Sequence, residues 1–363
     1  MNTIEKALMH GLFVHLHHNI DKVIDFSQFK KLNDMVAKNS LGELVLGPDA
    51  NDDAAVFRMP NDDGLVVAKM ESHCSPCVVR PYDGAATGAG GAMRDVVAMG
   101  ARPLFLLDFI GTSSMDEKVL VGPCGFKGEC SCGKCKTMTS GERLNLMVKG
   151  LRDMCQTMEV FVVGGGLSTS FSDIVPAVVV TVIGRLVIDE PLTKPAKNAG
   201  DRFILLGETS NDGNDTLYRA GLAKTMRPAE ALFDREKATM EAALEIIKTG
   251  KIKSCSDLGA AGIGAAVSES VRFGGLGAQI NLASVPVKLA KITPEEILIC
   301  ETQARMLFQA ASQDIPEILA IARSHKVAAA EIGQVTDAKK AVFMYEDKKI
   351  ASIPHRLPKG FIK

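Results

Sequence analysis

Tryptophan is absent from the chain, and only 3 tyrosines occur in 363 residues. Aromatic stacking on single-stranded nucleic acid is therefore a poor reading. The formal net charge is -1 with no block of like charge, so there is no basic stripe to hold a duplex either. Long apolar runs are missing as well. The longest, Ile174 to Ile183, is interrupted by Pro176 and falls far short of the roughly 20 residues a bilayer span requires; it reads as a buried strand. The opening residues MNTIEKALMHG carry Glu5 and no apolar core behind basic residues. A secretory signal is not expected, and the expected location is cytoplasmic, without membrane attachment. No G-x-x-x-x-G-K-S/T stretch exists, which excludes a P-loop, and the kinase elements H-R-D and D-F-G are absent too. Any nucleotide must be held by other means.

What is present is ordinary for a soluble protein: 46% hydrophobic and 23% charged residues, enough for one large or two medium domains with a sizeable core. Residues 1 to about 46 carry apolar residues at helical spacing (Ile4, Leu8, Leu12, then Val23, Ile24, Phe29) and are expected to form one or two helices. His15, His17 and His18 are expected on helix surfaces, since no Cys or carboxylate stands at a matching spacing. From residue 50 short apolar runs bounded by Asn, Asp and Gly, such as Ala54 to Arg58 and Leu65 to Met70, predict strands. Helices are expected at Ala85 to Met99 and at Gly141 to Met158, the latter with Leu144, Met147, Val148 and Leu151 on one face. A polar connector, Glu190 to Gly200, precedes a second half that opens on the strand Arg202 to Gly207 and alternates strands with helices. The expectation is an α+β protein of two domains, 1–195 and 196–363.

The most informative stretch runs from Lys69 to Asp108. Gly84, Gly88, Gly90 and Gly91 precede the expected helix, where a glycine turn lets backbone N–H groups approach an anion. Tight helix packing is the competing explanation of such glycines. Asp52, Asp53, Glu71, Asp83 and Asp95 gather around the strand ends and this turn. So much buried negative charge needs cations. Mg²⁺ is the natural one, because it prefers oxygen and joins carboxylates to nucleotide phosphates.

The segments ESHCSP (from Glu71), PYDGAATGAGGAMRDVVAMGARP (from Pro81) and LLD (ending at Asp108) resemble the formylglycinamidine ribonucleotide synthase pattern E-S/T-H-N-H-P, P-Y/F-x-G-A-A-T-G-x-G-G-x-x-R-D, M-G-A-R-P. Further likeness lies in NDDAAV (from Asn51), in Gly150 to Gly165, in SDLGAAG (from Ser256) and in ITPEEILICETQARML (from Ile292). The resemblance covers roughly residues 50 to 310. It implies a PurM-like fold of the aminoimidazole ribonucleotide synthetase superfamily, with an N-terminal sheet domain that pairs with a second copy and a C-terminal α/β domain. A homodimer follows, since the large synthases carry two copies in one chain. The implied cofactors are ATP and Mg²⁺. The implied reaction phosphorylates an amide or carbonyl oxygen and replaces the phosphate with ammonia, supplied here by a separate subunit. By motif match, Asp52, Glu71, Asp95 and Asp257 belong to the nucleotide site, with Asp52, Glu71 and Asp95 on Mg²⁺, and Gly88, Gly90 and Gly91 beside it. His73 and Lys69 are the implied catalytic residues. Other branches of the superfamily, the thiamine-phosphate kinase and selenophosphate types and a maturation factor, are the alternatives.

The chain departs from the pattern at several points. Ser75 stands for the second His of H-N-H and Cys74 for its Asn, Arg80 replaces a Glu, Gly166 replaces the Glu of G-G-E, and Thr209 to Asp215 keeps little of a T-G-R-D-G-I-H-G stretch. These changes fall where substrate, rather than nucleotide, is expected.

Nine cysteines occur, and without a secretory signal they are not expected in disulfides. Cys124, Cys130, Cys132 and Cys135 fall in an insert, 122–138, rich in glycine and lysine. Four thiolates so close in sequence can wrap one tetrahedral ion; Zn²⁺ is expected, an iron–sulfur cluster being the alternative. Cys74 and Cys77 flank the His73 motif and read as a chance pair, or more sharply as further ligands or a redox switch. Cys155, Cys255 and Cys300 read as buried small hydrophobes.

Overall fold

Two large sheets with helices packed on them, and one two-stranded ladder, make up the described residues. The computed structural model describes residues 2–9, 26–39, 41–47, 50, 52–171 and 175–355; His15, His17 and His18 lie outside these. Helix α1 (Phe26–Lys38) leads into strand β1 (Glu43–Leu46), so the first 46 residues are not purely helical as their periodicity suggested. Strands β2 (Ala55–Arg58) and β3 (Leu65–Ser72) follow, then the short helix α2 (Cys74–Val79), helix α3 (Pro81–Ala98) and strand β4 (Ala101–Gly111). The insert is bracketed by β5 (Lys118–Val121) and β6 (Lys136–Thr139), which form their own two-stranded ladder. Helix α4 (Ser140–Met158), β7 (Phe161–Ser168) and β8 (Ala177–Leu186) complete the first half. Its six-stranded sheet has the order β1-β2-β3-β8-β4-β7, antiparallel except for the parallel β4–β7 pair.

In the second half, β9 (Arg202–Leu206), β10 (Ile252–Asp257), β11 (Gly277–Asn281), β12 (Met306–Ala310), β13 (Ala329–Thr336), β14 (Lys340–Tyr345) and β15 (Lys348–Pro354) form a sheet of order β10-β12-β9-β13-β11-β14-β15. Helices α5 (Asp215–Arg219), α6 (Phe233–Lys248), α7 (Gly262–Phe273), α8 (Pro294–Ile299) and α9 (Ile315–Ser324) belong to this half. The architecture is the expected two-domain α+β type. No described helix is long and apolar enough to cross a membrane.

Helix α4 begins at a capping box in which Thr139 and Glu142 satisfy each other's backbone N–H groups. Its buried face carries Leu144, Met147, Leu151 and Met154; Val148 instead points outward. Helix α3 differs from expectation. It starts at Pro81, so Gly84, Gly88, Gly90 and Gly91 lie inside the helix and are buried. They form no phosphate-cradling turn. Glycine in a helix interior costs about 1 kcal/mol against alanine, and packing is what offsets it. A Cβ on Gly84 would meet the Cys77 backbone N at 2.7 Å, and one on Gly150 of α4 would meet the Tyr82 carbonyl oxygen at 2.1 Å. Small residues on α3 let it lie close to α2, α4 and the sheet at once.

Candidate metal and nucleotide site

The acidic residues converge where the two halves meet. Asp53 stands just before β2, Asp95 projects from α3, and Asp257 ends β10 of the second sheet. One carboxylate oxygen from each lies within 4.8 Å of the others. Asp53 Oδ2 is buried and accepts no hydrogen bond, so one hard oxygen of the triad is left without a partner. Such an atom is costly unless something fills the space in front of it. Oxygen donors from three carboxylates, with an unpartnered oxygen among them, fit Mg²⁺.

The carboxylates carry the electrostatic signature of crowding. Burial first, then the Asp257 charge, hold Asp95 well above the usual carboxylate range. Burial also raises Asp257 to about 6, with Arg94 opposing and Asp53 adding to the rise. Two lysines partly balance the cluster. Lys69 Nζ lies 2.8 Å from Asp95 Oδ2 and donates to the Asp53 carbonyl oxygen at 2.9 Å. Burial alone would discharge Lys69, but Asp95 and Glu71 hold its pKa above the ordinary value. Lys194, from the interdomain connector, sits 2.9 Å from Asp53 Oδ1 and 3.3 Å from Glu269.

Asp95 and Asp257 are thus in the cluster, and so is Lys69 beside it. Asp52 is not: its carboxylate accepts the backbone N–H groups of Asp53 and Lys194, and it is the neighbour Asp53 that stands with Asp95 and Asp257. Burial, then the Asp53 charge, raise Asp52 to about 6. Glu71 approaches the small-residue face of α3, its Oε2 being 3.6 Å from where a Gly91 Cβ would stand, but it lies outside the triad. Gly88, Gly90 and Gly91 are not ligand-facing amides. They make room for side chains: a Cβ on Gly88 would meet His73 Cβ at 2.6 Å, and one on Gly90 would lie 3.3 Å from Met154 and 3.4 Å from Glu236. Unforeseen from sequence were Lys194, with no local signal, and Arg94, which lies inside the matched R-D pair.

His73 is oriented rather than loose. Its Nδ1 is 2.6 Å from the Gly84 carbonyl oxygen and 3.4 Å from Thr87 Oγ1. A carbonyl can only accept, so Nδ1 carries the proton and the lone pair of the neutral ring is on Nε2. Gly88→Ala is expected to push this ring off position. A displaced His73 imidazole resonance, with the 2.6 Å contact to Gly84 lost, checks it by NMR.

The cysteine insert forms a second constellation. The Sγ atoms of Cys124, Cys130, Cys132 and Cys135 all lie within 4.8 Å of one another. Backbone N–H groups of Cys124 and Lys134 donate to the sulfurs of Cys135 and Cys132 at 3.3 and 3.4 Å. Amides of Cys135 and then Cys132, directed at Cys130, lower its thiol to about 6. Cys77 is buried and donates to the His73 carbonyl oxygen at 3.2 Å. Cys74 approaches the Val178 carbonyl oxygen at 3.9 Å, so neither thiol joins this cluster. Cys155, Cys255 and Cys300 are buried, as expected of small hydrophobes.

Glu301, in the ETQARML segment, accepts from the Thr216 N–H and hydroxyl and from the Ala261 N–H. Burial, then the Asp215 charge, raise it to about 7. A folded-state value above the unfolded one gives a stability contribution that is complete below the ordinary Glu range and lost as pH rises through about 7. Glu301→Gln should therefore match the parent at pH near 4 and exceed it at pH near 9, by at most ~3 kcal/mol. Urea melts at the two pH values check this; a gain at the lower pH instead would contradict the sign.

An acid triad split between an N-terminal sheet domain and a C-terminal one, beside a buried small-residue helix, defines the class. The chain belongs to the AIR synthase related family: the N-terminal domain matches residues 51–186 and the C-terminal domain residues 198–346. Within it the likeness is to the formylglycinamidine ribonucleotide synthase branch. Phosphoribosylformylglycinamidine synthase subunit PurL of Methanocaldococcus jannaschii is 34% identical, over 97% of this chain and 46% of that protein. The PurL subunit of Methanosarcina mazei is 35% identical, over 86% of this chain and 42% of its own length. Thermotoga maritima PurL complexed with ATP superposes with a TM-score of 0.68 at 29% identity, covering 88% of this chain and 47% of that one. The same protein complexed with FGAR gives 0.70 at 28% identity, covering 88% and 49%. The chain spans less than half the length of these relatives. A hydrogenase maturation complex, HypE–HypF, shares the fold alone, at 18% identity with a TM-score of 0.61 over 86% of this chain and 95% of that one.

Proposed function

We propose that this chain is an ATP-dependent carbon–nitrogen ligase of the formylglycinamidine ribonucleotide synthase type. The observation that carries the reading is the Asp53–Asp95–Asp257 cluster with its unpartnered Asp53 Oδ2. These three residues would hold Mg²⁺, which when bound would neutralise nucleotide phosphate charge. In the reaction, the γ-phosphoryl of ATP passes to an amide oxygen of the substrate, releasing ADP. Ammonia then displaces phosphate to leave an amidine. Phosphoryl transfer asks the protein chiefly for positioning and charge balance. Lys69 and Lys194 keep the acidic cluster from repelling the nucleotide and fix Asp95 and Asp53. His73, with Nδ1–H committed to Gly84, offers Nε2 to take the proton that ammonia loses on attack. Release of ADP dependent on formylglycinamide ribonucleotide and ammonia tests the reading. Nucleotide binding without any turnover would favour an accessory role instead, for which the four-cysteine insert speaks.

The same reading includes a homodimer. Strand β7 exposes every residue but Ser168 at its end, with Phe161 70% and Leu167 56% accessible, and Met70 on β3 is 69% accessible. A monomer rarely leaves so continuous an apolar sheet surface in water, and a second copy laid on it would cover both. Phe161→Asp should convert the dimer to monomer in light scattering; an unchanged mass would exclude this face. Ammonia would come from a separate partner subunit; T. maritima PurLQS is a solved assembly of a relative. Zn²⁺ on Cys124, Cys130, Cys132 and Cys135 completes the reading, since the donor set is four clustered sulfurs. About one metal equivalent per chain in elemental analysis is the expected result.

A further inference from the structure

Two of the departures from the family pattern, Arg80 and the 209–215 stretch, meet the cysteine insert in one place. A cavity of about 520 Å³ opens between the α2–α3 junction, the insert and the 211–230 segment of the second half. That volume suits a small metabolite. Its charged lining is Arg80, Lys134, Lys136 and Arg227 against Asp212 and Glu230. Arg80 is engaged by Asp83 at 2.9 Å and Glu230 at 3.5 Å, and Arg227 by Glu296 at 3.2 Å. Asp212 is held by the Glu230 N–H and the Thr302 hydroxyl. Lys134 and Lys136 have no ion-pair partner among the described residues, so the cavity keeps an excess of positive charge.

Both lysines flank Cys135, which makes their position a property of the cysteine cluster. The insert is fastened to α2: Gly122 N–H donates to the Val78 carbonyl oxygen at 3.2 Å. Gly122 has φ +136°, and a Cβ there would stand 2.9 Å from both Cα and Sγ of Cys135. A Cβ on Gly125 would meet Val78 Cγ1 at 2.6 Å. The loop thus returns tightly on itself at the end that carries the lysines. Loop entropy opposes such an arrangement unless a cross-link holds it.

We propose that the four-cysteine loop, closed on one metal ion, is a substrate-specificity element that presents Lys134 and Lys136 to the phosphate group of a small phosphorylated substrate in this cavity. The proposal deepens the ligase reading by assigning the loop to the substrate side of the same enzyme. A phosphate monoester is the ligand class because a compact dianion matches two free ammonium groups in a cavity whose remaining wall is largely apolar, with Val79, Val121 and Met226.

Ribose 5-phosphate titrated into the zinc-loaded protein by calorimetry, without nucleotide, is the test. Lys134→Ala/Lys136→Ala should weaken its binding by about tenfold or more. Mg-ADP affinity should stay within about twofold, and zinc content should be unchanged. Cys132→Ser/Cys135→Ser should lose the metal and the sugar phosphate affinity together. If that variant does not fold, the lysine variant, which alters only exposed side chains, still decides. Unchanged ribose 5-phosphate affinity in the zinc-loaded lysine variant overturns the proposal. So does no binding to the parent, or equal binding of unphosphorylated ribose. Loss of zinc in the lysine variant also overturns it, by assigning those charges to the metal site. Failure of the parent to bind Mg-ADP would count against the ligase reading and leave this result separate.

Discussion

Asp95→Asn is expected to weaken magnesium-dependent ADP binding by more than about a hundredfold, since even outer-shell changes at metal sites cost 10- to 100-fold. The folded apo protein should be no less stable than the parent. The two halves of this expectation have one cause. In the absence of a cation, Asp95 is buried against Asp257, and its charge is disfavoured enough to hold its pKa well above the usual range. An amide of the same shape removes that repulsion and keeps an oxygen for Lys69, which stands 2.8 Å away. With a cation present, the same substitution removes a hard anionic donor. Nucleotide affinity and apo stability should therefore move in opposite directions, which loss of folding cannot imitate. The neighbouring acids sharpen the test. Asp53→Asn should behave as Asp95→Asn does, because its Oδ2 is the unpartnered atom. Asp52→Asn should change ADP affinity little, because its carboxylate is turned to the backbone of Asp53 and Lys194. Calorimetry with and without Mg²⁺, paired with thermal melts of apo protein, reads all three. Equal losses for Asp52→Asn and Asp53→Asn would remove the triad from the nucleotide site.

The contrast between Asp52 and Asp53 marks how far sequence carries. Residue patterning identified the helix bearing Asp95 and the strand bearing Lys69, whereas motif order picked out Asp257 without the strand it ends. It offered no means of choosing between two adjacent aspartates in a loop, where a single backbone dihedral decides which one faces inward. The glycines of α3 misled for a physical reason. Glycine is poor in helix interiors and good in turns, so four of them within eight residues read as a turn. Tertiary packing overrode that preference: Cys77, His73, Glu236 and Met154 occupy the space their side chains would need. Strand β1 was hidden in an amphipathic helical pattern, being only Glu43–Leu46. The gathering of the four insert thiols was legible because their spacing is local. The cavity that the insert helps enclose was not, because its walls come from residues about 150 positions apart.

Arg94→Met should be the most destabilising single change near the site, at roughly 3–5 kcal/mol, the cost of leaving a buried charge without its partner. Arg94 and Glu236 are each 1% exposed and 2.5 Å apart. The same guanidinium donates to Gln303 Oε1 at 2.8 Å and lies 3.6 Å from Asp257. It rises from α3 of the first half, whereas all three partners belong to the second, so one side chain ties the domains together directly behind the acid triad. Removing it strands Glu236 in a water-free setting. Removing both charges is a different matter: Arg94→Met/Glu236→Gln leaves neither member of this pair ionised and should recover much of the loss, since replacing both members of a buried pair is often nearly neutral. The double variant then isolates a second role. It keeps the fold but lacks the cation that opposes the rise of the Asp257 pKa. Nucleotide binding that recovers with stability in the double variant would assign Arg94 to the domain junction alone. Binding that stays impaired in a fully stable protein would make it a positioning residue for Asp257. A single variant with less than about 1 kcal/mol of lost stability would contradict the ion pair's burial.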